Sequence, residues 1–270
     1  MKRLFFVFVF LGTLYFVLST ASAQDFTFQT ARNDYVFSED NYKKDLFDFN
    51  FKKATYQKNP TLSLKEEFRL STYKFVGSRN ILVKNYLTML RIRTLESLGI
   101  DNNQKEIIYS KIDGEVNWFD NRKNNYDLSN TLEDIIRKSK EEDIKYEAET
   151  LPVIYYTLAN ISLGDAITIK NKHVTIYNNH KKEAEELIKL GRADASLFDR
   201  WFKDIDRELE LILQIENLTK TDIDKIFGED TYRRQSGYEN AIETLDPIKS
   251  NLLRLNSFVM ELENVINTKR

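Results

Sequence analysis

From Phe28 to Tyr56 an aromatic ring returns at every seventh position, as Phe28, Tyr35, Tyr42, Phe49 and Tyr56, with Ala31, Ser38 and Leu46 on the same seam. Seven residues are close to two turns of helix, so this spacing predicts one long helix that buries an aromatic face against a neighbour. The stretch KNPT stops it, because Pro60 restricts Asn59 and turns the chain. Ser63 and Glu66 then form a capping-box pair, and a second helix with Leu64, Phe68, Phe75, Leu82, Tyr86, Met89 and Leu90 runs to Leu98. Gly99 is expected to be its C′ glycine, with Ile100 packing back.

Asp101 and Gln104 read as the next cap, before Ile108, Ile112, Val116 and Phe119. The polar stretch DNRKNNYDLSN places an interior boundary near residues 121–130. A fourth helix is expected from Thr131, with Leu132, Ile135, Ile136 and Ser139 facing inward. Pro152 is expected to end or kink it before the pattern resumes through Tyr155, Leu158, Ile161, Ile169, Ile176 and Leu187 to Gly191. The β-branched run DAITIKNKHVTIY reads as helix because its flanks do.

Another helix opens near Asp194 or Ser196 and carries Leu197, Phe198, Trp201, Phe202, Ile205, Leu209, Ile212 and Leu213. It frays at LTKTD or continues to Gly228. Ser236 and Glu239 form a further capping-box pair before the last helix, in which a bend is expected at Pro247. The fold class is therefore all-α: an elongated antiparallel helical bundle of six or seven coiled-coil-like long helices after an N-terminal signal peptide. The expected organisation is a leader at 1–23, an aromatic-rich helical hairpin region at 24–126 and a C-terminal helical region at 127–270, the last two packing as one continuous domain.

The leader changes where the bundle is expected to work. Lys2 and Arg3 precede an apolar run from Leu4 to Leu18, and small residues lead to Ala21-Ser22-Ala23, an A-x-A site with Gln24 as the new N-terminus. Fifteen residues of helix span about 22 Å, short of the roughly 30 Å of bilayer hydrocarbon. Export to periplasm, cell surface or medium is expected. An uncleaved N-terminal anchor facing outside is the alternative, and membrane is a partner only in that case.

Composition narrows the chemistry. Eight Gly and three Pro in 270 residues favour long helices over turn-rich sheets. With 40 basic and 42 acidic residues the net charge is −2, too balanced for nucleic acid. The chain has no cysteine, which excludes disulfides, thiol catalysis and haem attachment through Cys-x-x-Cys-His. His173 and His180, the two histidines, stand about 10 Å apart along a helix, too far to share a metal, and read as surface residues. Carboxylate-rich runs such as KSKEEDIKYEAE and HKKEAEELIK alternate with Lys and Arg as a solvated helix face does. Neither a phosphate-cradling glycine loop nor a nucleophile elbow is present.

These observations lead to expectations of no enzymatic activity, no cofactor and no metal. Phe26, Phe37, Phe47 and Phe51 fall off the aromatic seam and form a candidate partner-binding patch. The expected function is that of an exported binding or structural protein of the cell envelope or extracellular space. Its partner is a protein, a cell-wall or surface polymer, or another copy of itself. The alternatives are a small-ligand receptor or enzyme with a pocket between helices near Pro152 and Pro247, and a membrane-tethered scaffold.

Overall fold

The computed structural model describes residues 27–227 and 231–270. The leader, its cleavage site and Phe26 lie outside the described residues. Among the described residues seven α-helices follow in order: α1 (Phe28–Lys58), α2 (Leu62–Glu96), α3 (Asn102–Arg122), α4 (Leu132–Lys145), α5 (Leu151–Lys189), α6 (Ser196–Asp224) and α7 (Thr231–Asn267). Among the described residues there is no strand, and no helix is long and apolar enough to cross a membrane. The all-α helical bundle expected from the periodicity is the fold.

The aromatic seam of α1 meets α2 as the heptad spacing predicts. Tyr56 lies against Phe68, Phe49 against Phe68 and Phe75, Tyr42 against Phe75 and Tyr35 against Tyr86, at centroid distances of 4.7 to 5.9 Å. Rising numbers on one helix meet falling numbers on the other, so the pair is antiparallel. The Phe28 amide donates to Glu96 Oε1 at 3.0 Å and closes the far end. Behind this pair α2 packs on α3 and α4, while α5, α6 and α7 pack together. The main apolar core runs from Leu87 and Leu90 of α2 through α3 and α5 to Ile266 of α7, and a smaller cluster of Val76, Tyr126 and Ile135 lies between α2 and α4.

Several helix boundaries differ from their sequence signals. Thr61 caps α2, its hydroxyl accepting from the Leu64 amide, because Ser63 already lies inside the helix and Glu66 pairs with Arg69. Ser236 and Glu239 likewise fall within α7, which also continues through Pro247. Asp101 and Thr131 cap as expected, accepting from the Gln104 and Asp134 amides at 2.8 and 3.2 Å. Gly99 is not a left-handed C′ residue: among the described residues Gly191 is the glycine with positive φ, at 69°. There the Arg192 amide donates to Leu187 O and the Gly191 amide to Ile188 O, the Schellman arrangement.

Pro152 does not end its helix. The chain passes from α4 through a π-helical turn, Tyr146–Thr150, straight into α5, giving a rod from Leu132 to Lys189 about 87 Å long. Proline offers no N–H to the preceding turn and its ring crowds the carbonyl four residues back, so the wider turn just before it relieves both problems. The Leu151 amide donates to Tyr146 O, five residues back. Lys145 and Thr150 would lie about 140° apart on a regular helix. Here both reach Glu115 of α3: Lys145 Nζ contacts its two oxygens at 2.7 and 2.6 Å, and the Thr150 hydroxyl donates to Oε2 at 2.5 Å.

Candidate functional site

At about 100° per residue, the aromatic seam of α1 and the phenylalanines off it point in nearly opposite directions. Phe37, Phe47 and Phe51 are 70%, 75% and 58% exposed, and Val36, which the sequence reading missed, joins them at 40%. Phe227, at 38%, is the other exposed phenylalanine among the described residues. Three of these four rings thus share the outer face of one helix. Lys52 holds its ammonium 5.8 Å from the Phe51 ring while bonding Glu67 of α2 at 2.6 Å, so the edge of the patch is tied to the inner pair.

The outer face has a heptad pattern of its own. Asn33, Phe37, Asp40, Lys44, Phe47, Phe51, Ala54 and Lys58 follow one another by alternating steps of four and three, and all are exposed. The inner seam, Ala31, Tyr35, Ser38, Tyr42, Phe49 and Tyr56, is buried or half-buried. A helix with heptad seams on opposite sides has the form of a middle helix, with α2 on one side and room for a second helix on the other.

On the flank of the same helix a cleft of about 660 Å³ opens between α1, α2 and α3. Tyr73, Ile81, Phe119 and Tyr126 supply its apolar surface, and Lys84 spans it to Asp120 at 2.5 Å. Two buried atoms of its lining, Asn80 Oδ1 and the Tyr126 hydroxyl, lack a hydrogen-bond partner. Burial, followed by the nearby Glu142 carboxylate, pushes the Tyr126 phenol far up, so it stays protonated. Near Pro152, where the sequence suggested a pocket, there is a smaller hollow of about 260 Å³.

Behind the cleft stands a charge cluster that the sequence did not disclose. Glu142, 1% exposed, accepts from Arg79 Nη2 at 2.8 Å, Arg122 Nε at 2.9 Å and Asn80 Nδ2 at 3.1 Å, joining α4 to α2 and α3. Its run therefore does not lie wholly on a solvated face, because two guanidiniums converge on this one carboxylate. Three further buried glutamates tie helices in the same way: Glu115 to Lys145, Glu216 to Lys170 at 2.7 Å, and Glu208 to Arg254 at 3.2 Å. The histidines are not surface residues either. His180 keeps 13% of its side chain exposed, 3.4 Å from Glu183, and His173 is half-buried.

Among the described residues no group of three or more His, Asp or Glu is placed to hold a metal ion. The arrangement offers two capacities: an apolar helix face that can take a second helix, and a cleft whose free acceptor can take one donor. Compared with known proteins, the chain matches no family, no curated protein and no solved structure, so its function has to be argued from these surfaces alone.

Proposed function

We propose that the protein is an exported, non-enzymatic binding protein that docks an amphipathic helix on the outer face of α1. The observation that carries this reading is the second, exposed heptad seam with Phe37, Phe47 and Phe51 on it. Exposed rings draw on the hydrophobic effect only when covered, and a patch of them on one helix is how helix-in-groove recognition sites are made. The N-terminal leader supports the exported location. The cleft ranks second because Lys84 and Asp120 already satisfy one another across it.

The test is a photo-reactive amino acid placed at Phe47 and, as a control, at Leu253, which is 62% exposed on α7. Irradiated in the native host, position 47 is expected to give one discrete adduct that disappears when Phe37 and Phe51 are changed to Ser. Adducts equal at the two positions, or none at 47, overturn the docking reading.

A further inference from the structure

We propose that the helix docked on α1 is α1 of a second copy of this chain, paired antiparallel about a two-fold axis on the outer face at the level of residue 42; the proposal rests on the docking reading above. The order of charges along the outer seam carries the argument. In an antiparallel two-stranded coil each a position meets a d position of the other helix. With the axis at residue 42, Phe37 faces Phe47 of the second copy and Phe47 faces its Phe37. Between these ring layers Asp40 faces Lys44 of the second copy and Lys44 faces its Asp40. The symmetry is isologous, so both halves of the patch are used at once.

Competing arrangements fail on the same residues. A parallel pair in register sets Asp40 on Asp40 and Lys44 on Lys44. Shifting the antiparallel pair by one heptad toward the C-terminal end sets Lys44 against Phe47 and Asp40 against Phe51. The opposite shift sets Phe37 against Asp40. Each of these buries a charge against a like charge or against a ring and is penalised. A two-heptad shift, which pairs Phe47 with Phe51 and Asp40 with Lys58, leaves Phe37 uncovered beyond the overlap, whereas the register at residue 42 covers all three rings, Phe51 lying against the uncharged Asn33. Polar layers inside such a seam fix register and cost stability. The paired helices overlap over about 42 Å, which places the interface at the small end of specific contacts. The expected product is a weak, reversible dimer.

The experiment uses the chain from Gln24 onward. Sedimentation at about 10 to 200 µM is expected to show dimer rising with concentration. D40K and K44D are each expected to remain monomeric, while D40K/K44D dimerises again. Circular dichroism should be unchanged throughout, because both side chains are exposed. Since the chain has no cysteine, oxidising a mixture of D40C and K44C should give a disulfide-linked dimer, and neither variant alone should do so. A wild-type monomer at the highest concentration, cross-links from D40C alone, or a double variant that stays monomeric overturns self-pairing. If the adduct at position 47 in the host then contains a different protein, docking survives without self-pairing. If that position gives no adduct, both readings fall.

Discussion

Glu142 shows how much one residue can hide from a pattern of apolar spacing. Leu132, Ile135 and Ser139 mark the inward stripe of α4, and the next step of three lands on Glu142. Glu115 lies between Ile112 and Phe119 on α3, and Glu208 and Glu216 flank Ile212 on α6, again on inward faces. A hydrophobic scan passes over these positions, whereas a carboxylate arriving on schedule in an apolar stripe is itself a signal of a buried ion pair. The pairing cations, Arg79, Arg122, Lys170 and Arg254, come from other helices, so their identity is legible only in three dimensions. Removing the glutamate leaves Arg79 and Arg122, 18% and 19% exposed, facing each other with weaker partners. Glu142→Ala is therefore expected to cost about 3 kcal/mol in urea denaturation. Glu141→Ala, at a carboxylate 50% exposed in the same run, should cost less than about 1 kcal/mol. Equal losses at the two sites would remove the case for a buried tie.

Among the elements, the long helices were legible and some of their joints were not, for a physical reason. Heptad spacing repeats many times along each rod, so α1, α2 and the rest announce themselves, while a cap is set by one local hydrogen bond. Ser63 and Ser236 resemble caps, but Thr61 holds one of those positions and α7 begins before the other. Pro152 is a helix breaker in isolation, and only the π turn before it explains how the rod survives. The aromatic seam of α1 could be read directly, whereas the second seam on its outer face becomes visible once α2 has claimed the first. Gly99 fits a cap by sequence, yet its use is a crossing. A Cβ there would lie 1.9 Å from Gly164 O, and one on Gly164 would lie 2.6 Å from Ile100 Cγ1 and 2.9 Å from Ser97 Oγ. The turn after α2 thus rests on the backbone of α5. Gly164→Ala is expected to lower stability by about 2 kcal/mol through overpacking. Gly77→Ala, where a Cβ meets nothing within 4 Å inside α2, should raise it by about 0.5 to 1 kcal/mol. Chemical denaturation of the two variants checks the contrast, and a neutral Gly164→Ala would mean that the helices can part at no cost.

For the whole molecule, the question is whether the two ends of the bundle stand or fall together. The rod from Leu132 to Lys189 packs its first part on α2 and its second on α6 and α7; the main apolar core takes in the second part, while Ile135 of the first part sits in a separate small cluster with Val76 and Tyr126. The chain's two tryptophans report on opposite ends: Trp118 on α3, beside Arg122 and Lys145, and Trp201 on α6, donating to Glu261 at 3.2 Å. His173 on α5 supplies a perturbation on the second half of the rod. Burial, and then the charge of Lys172, hold its imidazole pKa below the ordinary value. A depressed histidine binds fewer protons folded than unfolded, so its contribution is complete above about pH 6.5 and is lost as the pH falls through the folded value. The carboxylates held low, such as Glu66 by Arg69 and Glu133 by Lys65, act in a separate window, near pH 4 and below. Between pH 7.5 and 5.5 the urea midpoint should therefore fall, and in His173→Gln it should fall less. If the rod couples the ends, Trp118→Phe and Trp201→Phe variants will show coincident transitions that shift together, although His173 lies on the second half of the rod. Transitions that separate, with the Trp118 signal indifferent to pH, would mean that the bundle melts as two units joined by a rod.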